Sequence, residues 1–413
     1  MFVEIFLFSL LGIVLGVILG LLPGLHLNNT IPIMLLLLPF LSSPYYLTVL
    51  IVSTAIAQVF TSFIPSIFLG APDGDSNSLS VLPGHRLLLE GNGYEAIKLT
   101  VIGGIGALLI SIITVLFFGK YFALLYNLTR PYIAYAIIAV VIFMMLSERK
   151  PKKILFSGVI LFLSGILGML VLNSSIILPQ NALFPTLTGL FAISTLLISL
   201  AEKTTIPKQQ NKPIKMPTLD IVKSVVLSVV AGILVGLLPA VGVSQAATFM
   251  QYLGGLSEAR TFLITLSGIN TANEVISLNS LYLISNPRSG ASVAIERILP
   301  EINFNDMLLF IGVILLSAGI VVPITLYLGR EVPKILVKLN YTYLSLAVIS
   351  FLILLIGIMT GISGLLIGAT STAIGLLCAY TGVKRSSCMG VLLLPSILFF
   401  TGLNPLILTI LRI

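Results

Sequence analysis

The phrase Gly16-Val-Ile-Leu-Gly-Leu-Leu-Pro-Gly24 returns 216 positions later as Gly232-Ile-Leu-Val-Gly-Leu-Leu-Pro-Ala240, each time inside lipid-like sequence. Gly16 and Gly20 fall on one helical face, where they let a second backbone approach closely. Pro23 removes a backbone donor near the helix end, and Gly24 is free to turn. A membrane helix broken in this way exposes polar backbone groups that hydrocarbon cannot satisfy, so the break must face protein or a water-filled cavity. Two copies at one offset point to two related membrane halves, each interrupted where an ordinary spanning helix would continue. Helix packing by Gly-x-x-x-Gly with a bend at Pro is the plainer reading; it fits either copy alone better than it fits the repetition.

A mean hydropathy of +1.15, with 57% hydrophobic and 9% charged residues, excludes an ordinary soluble domain. Apart from tyrosines, residues 5–72 contain only His26 as an ionisable side chain, and residues 154–201 and 340–383 contain no charge. Each run exceeds the roughly 20 residues needed to cross a bilayer, so several must fold into more than one helix. A membrane β-barrel would place a polar residue at every second position of its lumen face, which this sequence lacks. The expected fold is therefore all-α and polytopic, with two related halves and broken or re-entrant helices. Apolar helices are predicted near 4–22, 30–41, 46–70, 98–118, 121–146, 154–172, 180–200, 220–238, 243–256, 261–284, 306–328, 340–359, 361–380 and 387–411. Segments 30–41 and 243–256 are too short to cross and follow the two Pro-containing phrases, leaving roughly 10 to 12 true crossings. The division is a first repeat at 1–146, a connecting helix pair and basic loop at 147–219, a second repeat at 220–359 and a C-terminal membrane region at 360–413. Whether the repeats are inverted or parallel depends on the parity of the short segments. The inverted arrangement is preferred because it exchanges inward-open and outward-open states naturally.

The 22 basic and 14 acidic residues give a net charge of +8. Arg149, Lys150, Lys152 and Lys153 form one cluster, and Lys203, Lys208, Lys212, Lys215 and Lys223 populate the long polar loop. The positive-inside bias puts both basic loops, 148–153 and 203–223, in the cytoplasm of a multi-pass cell-membrane protein. These lysines lack the aromatic or motif context of a nucleic-acid site, so no nucleic-acid partner is expected. The N-terminal apolar segment reads as a first membrane helix retained in the chain. Cys378 and Cys388 have no metal or redox spacing and read as apolar filling. No metal or cofactor is predicted.

After the first break come His26, Asn28 and Asn29; after the second come Gly242, Ser244 and Gln245. New helices starting at Asn28 and Ser244 would aim free N–H groups and positive dipole ends at an anion inside the membrane. Pro23, Gly24, Pro239 and Gly242 are the structural breaks. His26 can bind the anion or change protonation during transport, or it can be a satisfied structural histidine. Glu274, with Asn270 and Asn273 beside it, lies mid-way along an apolar stretch from 261 to 287. Such a carboxylate is a functional candidate by default, here for proton or sodium coupling. A structural carboxylate capping a broken helix is the competing reading. At the same offset its first-half partner is Gln58.

Two irregular segments follow at equivalent positions, one around Pro72 and Asp73 and the other around Pro287, Arg288 and Ser289. Arg86 and Arg288 carry donor forks suited to carboxylate or phosphate, or to lipid headgroups at the interface. Asp73 is a candidate for cation coupling, against the reading of a solvated turn carboxylate. The regular oxygen spacing of a calcium loop is absent.

Gly20-Leu-Leu-Pro-Gly-Leu25, its partial copy Gly236-Leu-Leu-Pro-Ala-Val241, and Gly84-His-Arg-Leu-Leu-Leu-Glu-Gly-Asn-Gly93 followed by Glu95-Ala96 resemble the large membrane subunit family of tripartite tricarboxylate transporters. The chain resembles a divergent, archaeal-type member, with the likeness running from the N-terminus to about residue 300. The resemblance implies secondary uptake of organic carboxylates together with a smaller membrane subunit and a soluble substrate-binding protein. The chain departs from the family's Pro-Gly-Thr-Pro turn, which appears as Ala71-Pro72-Asp73-Gly74, and from its second Pro-Gly, which is Pro287-Arg288. A weaker resemblance is to bacterial polyprenyl-phosphate translocases, whose paired Pro-Gly re-entrant segments and basic residues receive a phosphate headgroup.

The favoured reading is a secondary transporter for an anionic small molecule, an organic carboxylate, working by alternating access with proton or cation coupling. A polyprenyl-phosphate flippase, taking its lipid phosphate sideways from membrane lipids, is the alternative. An intramembrane enzyme is the weakest, because no paired histidines accompany the acids and neither cysteine has a nearby base in sequence.

Overall fold

The computed structural model describes residues 2–22, 27–71, 79–173, 177, 181–201, 207–211, 213–237, 242–254, 258–284, 287, 289–299, 301–336 and 341–411. Among them the regular structure is entirely helical, and seven helices are long and apolar enough to cross a membrane. The first set is α1 (Phe2–Leu21), α2 (Leu27–Leu35), α3 (Pro44–Thr61, extended by Phe63–Phe68), α4 (Val81–Leu89) and α5 (Gly93–Phe118). A short helix at Phe122–Thr129 leads to α6 (Ile133–Leu146) and α7 (Pro151–Asn173), then to a helical stretch through Leu183–Leu187 and Ser194–Ala201. A second set follows: α8 (Thr218–Leu237), α9 (Val243–Leu253), α10 (Ala259–Ile284), α11 (Gly290–Ile298) and α12 (Phe304–Leu336). The chain ends with α13 (Tyr341–Tyr380), α14 (Gly390–Phe400) and Asn404–Leu411.

The starts of α1 and α8, and of α2 and α9, lie 216 positions apart, the offset of the repeated phrase. Glycines explain why each pair packs as it does. A Cβ on Gly12, Gly16 or Gly20 would strike Leu50 O, Thr54 O or Thr61 Oγ1 of α3. On α8, a Cβ on Gly232 would meet Ile269 O, Ala272 Cβ and Asn273 N of α10, and one on Gly236 would meet Ile276. Contacts that rise together along both helices make α1 parallel to α3 and α8 parallel to α10. They also reset the register. Gly16 meets Thr54, Ala57 and Gln58 where Gly232 meets Ile269, Ala272 and Asn273, so the third helices correspond at an offset one shorter than the first. Gln58 is therefore the counterpart of Asn273, and Glu274 matches Val59.

The two sets run in opposite directions. α3 and α12 begin side by side, joined by the Tyr45 hydroxyl donating to Asp306 Oδ1 at 2.9 Å. α12 ends beside the start of α5, where Gly329 faces Ile97. α5 and α10 start together and stay parallel, with Gly103 against Ile264 and Gly119 against Leu283. At that shared start Arg260 Nε donates to Glu95 Oε1 at 2.7 Å and Nη2 donates to Oε2 at 3.3 Å. The two pins occupy matching places: second residue of α3 to third of α12, second residue of α10 to third of α5. Each set thus lays its glycine-packed pair against the last long helix of the other.

Two differences from the sequence expectation have local causes. Residues 81–89 and 290–298 are helical although Pro83 and Gly290 argue for irregular backbone. Pro83 sits in the first turn, where its missing N–H has no intrahelical acceptor in any case, and Ser289 with Ser292 forms a capping box that starts α11. The predicted helix 121–146 is split around Arg130–Tyr132. The boundary predicted between the helices at 340–359 and 361–380 is present at Gly361, which interrupts Tyr341–Tyr380 with a φ of 65°, a conformation glycine adopts without strain.

The glycine ladders make a direct prediction. G16V or G232V forces a side chain into backbone contact and should cost about 1–3 kcal/mol of stability, read as a lowered unfolding temperature in detergent. G312A, with nothing within 4 Å of its new methyl, should shift stability by about 1 kcal/mol at most. For the α5–α10 pin, E95Q, R260Q and the double variant should show a coupling of about 0.5–3 kcal/mol in a stability cycle.

Candidate functional site

Among the sequence-predicted residues, His26, Asp73, Arg288 and the break residues Pro23, Gly24, Pro72 and Pro239 lie outside the described residues. Asn28 and Asn29 are in the first turn of α2, and Ser244 and Gln245 in the first turn of α9. Gly242 immediately precedes α9, and its carbonyl accepts from Ala246 N–H at 3.2 Å. Pro287 lies in irregular backbone before α11. The side chain of Ser289 is taken up as the cap of α11, accepting from Ser292 N–H at 3.2 Å. Arg86 is exposed and pairs with Glu90 one turn on at 3.0 Å.

The first break is organised by a residue that sequence reasoning noted only for its polarity. Leu27 N–H, the opening donor of α2, is capped by Gln58 Oε1 at 3.0 Å, with both groups buried. Gln58 lies well inside the apolar span 44–68, so α2 begins deep within the molecule and not at its surface. The four free N–H groups of a helix start need acceptors, and here a neutral amide from the adjacent helix supplies one.

The second break presents a different face. On α10, Ile264, Ser267 and Thr271 are turned to α5, whereas Ile269, Ala272 and Ile276 are turned to α8. Helical periodicity then places Asn270, Glu274 and Ser277 on the remaining face, toward α3, α9 and α11. Asn270 is buried and has no hydrogen-bond partner among the described residues. Asn273 Oδ1 accepts from Ser277 Oγ at 3.3 Å. Glu274 is half-buried, and its carboxylate has no hydrogen bond or ion pair there either. An amide and a carboxylate without protein partners, on an interior face at mid-helix, form a polar patch able to take an external ligand or a proton.

α9 runs from this level back toward the end at which α10 starts, because Thr248 and Gln251 line a common cavity with Ala259 and Phe262. Beyond the break itself, His85 of α4 is buried, and Nδ1–H donates to Ile67 O at 3.2 Å. Burial holds its imidazole below the usual histidine pKa, opposed by that backbone hydrogen bond. Glu95, read from sequence as part of the segment that carries the family resemblance, is the buried half of the Arg260 pin. Arg260 and the Tyr45–Asp306 pair carry no signal in the sequence, since only the folded register brings those positions together.

Two oppositely directed helix sets, the first interrupted deep inside beside Gln58 and the second carrying polar side chains on an interior face, are the construction of a polytopic secondary transporter. The chain belongs to the Tripartite tricarboxylate transporter TctA family, whose model matches residues 6–390. The match runs well beyond the N-terminal 300 residues that the motifs indicated. An uncharacterized protein of Methanocaldococcus jannaschii is 32% identical over 404 residues, covering 95% of this chain and 98% of that protein. No solved structure gives a significant match.

Replacing Gln58 with Leu should leave Leu27 N–H buried without an acceptor, costing about 1–3 kcal/mol. Q58E restores an acceptor, so a detergent melt closer to wild type than Q58L is the expected outcome.

Proposed function

We propose that this protein moves an organic carboxylate across the cell membrane by alternating access, binding it where α3, α9 and α11 face the interior side of α10, with α2 packed on α3 and α11. The observation that carries the reading is the unpartnered pair Asn270 and Glu274 at mid-helix, beside Asn273, the register-equivalent of the residue that caps α2. Helix starts supply N–H donors and positive dipole ends to a carboxylate without a fixed cation. Glu274 has a separate duty: a carboxylate in a dry interior takes up a proton or recruits a cation more readily than it stays bare. Its partner position on α3 is Val59, so coupling belongs to the second half alone.

The halves 1–146 and 220–359 serve as inverted repeats around this site, with 147–219 and 360–413 packed outside them. Reversal of direction lets one repeat open as the other closes. The basic loops 148–153 and 203–223 face the cytoplasm. Family membership supports tricarboxylates as the substrate class and a small membrane subunit with a soluble binding protein as partners.

Uptake of radiolabelled citrate into proteoliposomes, driven by an imposed proton or sodium gradient, tests the reading. E274Q should abolish the response to the gradient while citrate exchange persists, and N270A should weaken citrate binding by about tenfold. Normal gradient-driven uptake by both variants would overturn it.

A further inference from the structure

A cavity of about 1090 Å³ lies at the end of the molecule where α5 and α10 start. Arg86, Arg149, Lys384 and Arg385 line it, with Thr248 and Gln251 of α9 as neutral polar groups. No acidic side chain lines it among the described residues. Arg385 is the unusual member. Only 8% exposed, it gives Nη1 hydrogen bonds to Leu190 O at 2.8 Å and Ser194 Oγ at 2.7 Å. Both partners are neutral, Nε and Nη2 have no acceptor among the described residues, and no ion pair includes this guanidinium there. Glu148, the acid bonded to this turn, accepts from the backbone N–H of Lys384 at 2.8 Å, which fixes the turn without engaging the Arg385 fork. Arg149, the one non-glycine with positive φ among the described residues, at 59°, stands exposed at the rim.

A buried guanidinium without a counter-charge is costly and is ordinarily completed by an anion. Its planar fork suits carboxylate or phosphate oxygens best. We infer that this cavity is a second anion site, in which Arg385 anchors a carboxylate or phosphate group, Arg149, Lys384 and Arg86 surround it, and Gln251 donates from α9, the Thr248 hydroxyl being committed to Ser244 O. The site is separate from the break. Thr248 and Gln251 follow Val243 by five and eight residues, which puts them roughly 8–12 Å along α9 from its start. The inference concerns ligand chemistry at the basic end and stands whether or not Glu274 couples transport. The oxyanion has two sources: a soluble anion such as the transported carboxylate, or the phosphate of a membrane lipid.

The test uses the full chain in nanodiscs of phosphatidylcholine, titrated calorimetrically with citrate and with inorganic phosphate. Native mass spectrometry of discs containing phosphatidylglycerol reads lipid retention in parallel. R385Q and R149Q should each weaken soluble-anion binding, R385Q by about tenfold or more, while E274Q retains it at this site. Retention of phosphatidylglycerol by wild type and its loss in R149Q, with no soluble-anion binding, assigns the same site to a headgroup. Because R385Q removes a buried group, the exposed Arg149 supplies the variant whose fold is secure, checked by its melting temperature. Unchanged anion binding and unchanged lipid retention in folded R149Q and K384Q would overturn the inference. Loss of gradient response in E274Q with anion binding intact separates a failure at the break from a failure at this cavity.

Discussion

A backbone N–H that loses its helical partner inside a bilayer must find another acceptor, and the architecture of this protein follows from how that requirement is met. The break between α1 and α2 is tolerated because Gln58 Oε1 accepts from Leu27 N–H. Gln58 can reach it only because Gly12, Gly16 and Gly20 bring α1 into backbone contact with α3. Removing donors with Pro and clearing space with Gly are therefore parts of one device: the glycines set the spacing that lets a side chain from the next helix cap the interrupted one.

The glycine-packed pair recurs in the second half, alike in scaffold and different in chemistry. The end pins Tyr45–Asp306 and Arg260–Glu95 occupy matching positions at opposite ends, so each glycine-packed pair is braced against the long helix of the other set. On the interior faces, however, Ala55 and Val59 stand where the second half has Asn270 and Glu274. One half presents an apolar wall and the other a polar one. That division suits a transporter in which a single half carries the charge chemistry while both supply helix starts.

The basic end adds a second level of organisation. α9 begins at the break and ends beside the cavity lined by Arg149, Lys384 and Arg385, so one short helix spans both polar regions. The turn after α13 that bears Lys384 and Arg385 is tied to the loop between α6 and α7 through Glu148. Cys378, read from sequence as apolar filling, is buried and donates to Val383 O at 3.4 Å, helping to shape the same turn.

Hydropathy by itself determined an all-α, polytopic membrane protein, because burial of backbone in lipid leaves few alternatives, and the repeated Gly-Leu-Leu-Pro phrase pointed to two related halves. They also marked Glu274, since a lone carboxylate in an apolar run stands out in one dimension. What the sequence could not express was register. A shift of one residue between the first and third helices moves the counterpart of Gln58 from Glu274 to Asn273, and ungapped matching has no way to see it. The pins joining residues 45 to 306 and 95 to 260, the open fork of Arg385 and the gathering of distant basic residues around one cavity were likewise decided by tertiary structure. Each depends on which helix faces come into contact, and contact between faces is a property of packing that side-chain identity along the chain does not carry.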